Sequence, residues 1–126
     1  MKLVCESTNT PLSIDKYGFL SCGEDFLQST VQIKDNLTIQ LVTNENVLIP
    51  LRFWNLTWVK NCGPVSASTV LILKLTPLSG GGGTSFVIER IDSLSIRYRY
   101  LTFDKESNRF GFYSDLEYAE VVRIEK

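Results

Sequence analysis

The side chains of this sequence that could do chemistry are three cysteines, a few carboxylate pairs and two segments where arginine alternates with aromatic rings. Histidine is absent. That removes Ser-His-Asp and Cys-His catalysis, imidazole-ligated metals and any imidazole pH switch. Cys5, Cys22 and Cys62 are odd in number, and none lies in a C-x-x-C spacing. A structural zinc site needs four ligands and carboxylates rarely complete it, so no metal is expected. The three are read as reduced, buried or half-buried thiols, with one disulfide plus a free thiol as the alternative.

Two carboxylates can act as acid and base on a glycosidic bond. Here Glu24-Asp25, Asp104 with Glu106, and Glu117 with Glu120 lie in turns or beside basic residues, where acids serve solubility. Ser66 and Ser68 have no base in view. The run Ser79-Gly80-Gly81-Gly82-Gly83-Thr84 lacks the lysine and the following helix that make a glycine-rich loop a phosphate cradle. It reads as a loop between strands. The expectation is a protein that is not an enzyme and carries no cofactor.

Binding is the better prospect. In Leu51-Arg52-Phe53-Trp54-Asn55-Leu56-Thr57-Trp58-Val59, read as one strand, Leu51, Phe53 and Val59 point one way and Trp54, Leu56 and Trp58 the other. Both faces are then apolar, with the tryptophans about 13 Å apart along the strand. Val70 and Ile72 oppose Leu71, Leu73 and Leu75 in the same manner. Such strands are either covered on both sides or leave one face as an interaction surface. The sites singled out are Trp54, Leu56, Trp58, Val70 and Ile72, facing a protein partner or a second copy. A small ligand or carbohydrate held by the tryptophans is the alternative.

A third reading is single-stranded nucleic acid, with Arg97 and Arg99 from Arg97-Tyr98-Arg99-Tyr100 and Arg109 on phosphates. The run Arg109-Phe110-Gly111-Phe112-Tyr113 is similar over five residues to the RNP1 strand of RNA-recognition domains. It lacks the first glycine of that pattern and has Tyr113 at its valine, so no family is assigned. Asp104 and Glu106 offset part of the local charge, and nucleic acid ranks below a protein partner.

Period-2 alternation dominates, and it must position these residues. Strands are expected near 2–6, 11–14, 17–22, 29–34, 37–43, 47–59, 66–76, 84–91, 94–103, 109–113 and 117–125. Turns are expected at Asp35-Asn36, Asn44-Glu45-Asn46, Asn61-Cys62-Gly63-Pro64, Asp92-Ser93 and Asp104 to Asn108, where residues tolerant of positive φ cluster. The fold class is all-β: a single-domain antiparallel β-barrel or two-sheet β-sandwich of about nine to eleven short strands over residues 1–126. At the C-terminus, Ser114-Asp115-Leu116-Glu117 fits a capping box and a short helix, whereas β-branched Val121, Val122 and Ile124 favour a strand.

With 126 residues, 44% apolar and 21% charged, the chain is long and apolar enough for its own core. The net charge of -1 gives no global footprint for nucleic acid or an anionic membrane. The apolar run before Glu6 is shorter than the roughly 7–15 residues of a secretory signal. No membrane insertion and an intracellular setting are therefore expected, and a viral or phage structural role fits equally.

Overall fold

Short apolar-polar runs broken by Asn, Asp and Gly fold into strands joined by tight turns. The structure is a computed structural model that describes residues 1–23, 28–54, 58–61, 70–78, 84–91 and 99–125, with the backbone alone at Trp54. The described residues form thirteen strands: β1 (Lys2–Cys5), β2 (Thr10–Ile14), β3 (Leu20–Cys22), β4 (Thr30–Ile33), β5 (Thr38–Val42), β6 (Leu48–Ile49), β7 (Leu51–Trp54), β8 (Trp58–Asn61), β9 (Leu73–Pro77), β10 (Ser85–Arg90), β11 (Tyr100–Asp104), β12 (Arg109–Tyr113) and β13 (Val122–Glu125). A 3-10 turn, Leu116–Tyr118, precedes β13.

The fold is all-β, and its ladders are antiparallel. The main sheet runs β3-β2-β1-β13-β10-β9-β5-β4, with β11 and β12 branching from β10 and β6 from β5. β7 and β8 form a separate two-stranded ladder. It is tied to the residues before β3 by a Phe19–Lys60 bridge and by the Asn61 N–H donating to the Gly18 carbonyl at 2.8 Å. The arrangement is compatible with two packed sheets.

The branches matter for the site. β5 gives one edge to β4 and divides the other, Thr38 and Ile39 pairing with β9 and Leu41 and Val42 with β6. β10 likewise gives one edge to β9 and divides the other between β13 and β11. Leu3, Cys5, Ile14, Leu20, Leu41, Val59, Leu75, Ile88, Leu101, Phe110 and Val122 form the fully buried centre. In β1 and β10 consecutive residues are buried, so both faces of these strands are covered.

Turn chemistry follows the sequence reading. Asn46 and Asn108 adopt positive φ, 65° and 60°, and the Asn108 N–H donates to the Asp104 carbonyl at 2.8 Å. The Asn36 side chain accepts from the Thr38 amide and hydroxyl, fixing the β4–β5 turn.

Four expectations are corrected. The expected single strand over 47–59 is three strands, which raises the count from eleven to thirteen. Pro50, with no N–H for a ladder, separates β6 from β7, and β7 and β8 pair antiparallel rather than continuing one another. Of the expected strand over 66–76, residues 66–69 lie outside the described residues, 70–72 are not strand, and β9 starts at Leu73. The strand expected from residue 17 starts at Leu20. The C-terminal alternatives both hold in part, as a 3-10 turn followed by a short strand rather than either one over 117–125. The turns expected at Cys62 to Pro64 and at Asp92-Ser93, and most of the glycine run, lie outside the described residues.

Candidate functional site

Val70 and Ile72 line one groove, at the point where the divided edge of β5 passes from β9 to β6. Its volume is about 170 Å³. The floor is apolar and buried: Ile39, Leu41, Ile49, Leu51 and Leu73. The rim carries Leu48 and Ile72, 48% and 50% exposed, with Lys34 and Gln40 as polar neighbours. Leu48 faces outward because Ile49, one residue on, takes the core side.

Two backbone bonds hold the segment 70–72 without making it a strand. The Leu71 N–H donates to the Leu51 carbonyl at 2.8 Å, and the Ile91 N–H donates to the Ile72 carbonyl at 3.0 Å. The second bond sets Ile91, itself 44% exposed, beside Ile72. Two exposed aliphatic side chains from separate parts of the chain, Leu48 and Ile72, stand at one opening.

The tryptophans are placed differently from the sequence expectation. They do not follow one another along a strand. Trp54 of β7 and Trp58 of β8 are direct register partners. Trp58 is half-buried and is not among the described residues that line the groove. Leu56 and Arg97 lie outside the described residues. Arg99 is engaged elsewhere, its Nε 3.0 Å from the Glu89 carboxylate, which also accepts from the Thr76 hydroxyl at 2.7 Å. The structure thus unites Val70 and Ile72 and separates them from Trp58 and Arg99.

The RNP1-like run is β12, and its phenylalanines are not available for stacking. Phe110 is fully buried against Phe103, with ring centroids 5.0 Å apart, and Phe112 packs edge-on to Phe53 at 5.5 Å. Tyr113, the exposed member, packs against Tyr118 with the rings tilted and their centroids 5.4 Å apart.

Several of the other polar groups are engaged within the fold. Glu120 is buried and accepts both the Ser7 amide, at 3.2 Å, and the Ser7 hydroxyl. Asp104 is occupied within its own turn by the Glu106 amide and the Ser107 hydroxyl. Cys5 and Cys22 are buried, reduced thiols, while Cys62 lies outside the described residues. A side-chain hydrogen bond with Cys22, and then burial, push the Cys5 thiol far above its ordinary pKa. That is the reverse of what a thiolate nucleophile needs.

No helix among the described residues is long and apolar enough to cross a membrane. No protein-family model and no curated protein sequence matches the chain.

The residue that sequence reasoning missed is Leu48. Its signal was the Leu48-Ile49-Pro50-Leu51 run, where a proline follows two aliphatic residues and must end a ladder.

Proposed function

We propose that this chain is a non-enzymatic assembly module that pairs with a second copy of itself through the groove bounded by Leu48 and Ile72. The observation that carries the reading is that one patch holds both an apolar hole and protruding aliphatic side chains at its rim. A two-fold contact brings the same patch of each subunit together, so the patch must be self-complementary. Leu48 or Ile72 of one copy can enter the groove of the other while its own groove receives the equivalent side chain.

At this groove, size argues against a small ligand. Ligand pockets usually enclose about 300–1,000 Å³. A groove of about 170 Å³ is below that range and suits a side chain. The polar neighbours Lys34 and Gln40 give the wet rim found around apolar contacts.

Static light scattering of the purified chain and of Ile72→Asp tests the reading. The unaltered chain should show a concentration-dependent dimer. Ile72→Asp should weaken it by about 2 kcal/mol or more, as loss of a central anchor does. A monomer at every concentration, or a dimer indifferent to Ile72→Asp and Leu48→Asp, would refute it.

A further inference from the structure

Arg52 and Lys60 stand directly opposite each other in the β7–β8 ladder. Opposed side chains share a face about 4.5–5.5 Å apart at Cβ, and like charges so placed repel. The alternate positions, Phe53 and Val59, pack into the core, so this pair is on the other face. Phe19 extends the row through its bridge to Lys60. The Lys60 ammonium lies 4.8 Å from the Phe19 ring centre, and the Arg109 guanidinium lies 3.8 Å from the same centre. Cations from β7, β8 and β12 therefore gather along one row.

Two described acids near the row, Asp15 and Asp104, are hydrogen-bonded within their own turns. Asp15 accepts the Tyr17 and Phe19 amides at 2.9 and 3.0 Å. Asp104, opposite Arg109 in register, accepts the Glu106 amide and the Ser107 hydroxyl at 3.2 and 2.9 Å. Arg52 and Arg109 have no ion pair among the described residues, and Arg52 Nε is buried without an acceptor. A buried guanidinium N–H left unsatisfied is rare and asks for an explanation such as an absent anion or water. Two residues along the ladder, about 7 Å away, comes the Trp54–Trp58 register pair. Trp58 is only half-buried.

We infer that this face binds a nucleotide unit. Arg52, Lys60 and Arg109 receive the phosphate, and Trp58 receives the flat ring. The planar fork of arginine suits phosphate oxygens, and an indole stacks on any base. The chain's net charge of -1 leaves attraction to this local row rather than to the whole surface. The unit is either a free nucleotide or one link of a single strand, and the experiment separates the two.

Tryptophan fluorescence of the full chain is titrated at low salt with an oligothymidylate of about fifteen nucleotides, with thymidine monophosphate, and with a polyglutamate of similar charge as competitor. Saturable quenching by either nucleotide ligand is expected, and the tighter one identifies the source. Lys60→Gln and Arg109→Gln should each weaken binding about threefold to tenfold. For a single strand held at this one phosphate, the unaltered protein should show log affinity falling with log salt at a slope of about −0.7. That slope does not depend on any variant folding. No saturable quenching by either ligand, equal competition by polyglutamate, a slope near zero with the strand, or folded Gln variants that bind unchanged would each overturn the inference.

Discussion

Trp54 and Trp58, four apart in sequence, are cross-strand partners at the end of the β7–β8 ladder. Opposed residues in an antiparallel pair can interact directly, whereas residues four apart along one strand are about 13 Å apart. A double-mutant cycle with Trp54→Ala and Trp58→Ala should therefore give a coupling of about 0.5–1.5 kcal/mol. Additive effects in urea unfolding would restore the single-strand arrangement.

Phe110→Ala should destabilise the fold by about 3–5 kcal/mol, because its ring is wholly enclosed and its loss opens a cavity. Tyr113→Ala, three residues on and 55% exposed, should cost far less. Chemical denaturation of both variants checks this. Near-equal, small losses would mean that the β12 aromatics face solvent after all.

These two contrasts show what the sequence carries and what it does not. Alternation marks β2, β4, β5 and β12 closely and short apolar runs mark β1 and β10, while Asn46 and Asn108 announce their turns because asparagine tolerates positive φ. The 47–59 run misleads because its apolar residues continue past Pro50, whereas Trp54 and Trp58 are register partners across a ladder. Val70 and Ile72 are legible as candidates from their apolar pattern. Their meeting with Leu48 is not, since it depends on how β5 divides its edge between β9 and β6. The cation contacts around Phe19 join Lys60 and Arg109 over long sequence separations, beyond the reach of local pattern.

Ser7→Ala should cost about 1–3 kcal/mol, because it removes a hydroxyl donor from a buried carboxylate. Glu120→Gln in the same background should recover part of the loss, since an amide needs fewer donors than a charge. Thermal unfolding of the single and double variants decides it. A stable Ser7→Ala protein would show that the Ser7 amide and solvent suffice for Glu120.

The Cys5 thiol should resist alkylation in the folded protein and react on unfolding, because its raised pKa keeps it protonated. The folded state thus holds a proton that the unfolded chain releases above about pH 8.5. Stability from this group is complete below that pH and declines as the pH rises beyond it. Urea midpoints from pH 7 to pH 10 should fall more steeply for the unaltered chain than for Cys5→Ala. Equal slopes would remove Cys5 as the cause.

The assembly reading is tested most directly by methyl resonances of isoleucine- and leucine-labelled protein followed through a dilution series. Self-association through the groove predicts that the Leu48 and Ile72 methyls shift with concentration. Those of Ile14 and Ile88, fully buried in the core, should stay fixed. Resonances that do not move at any concentration, or movement confined to residues remote from the groove such as Leu116, would contradict it.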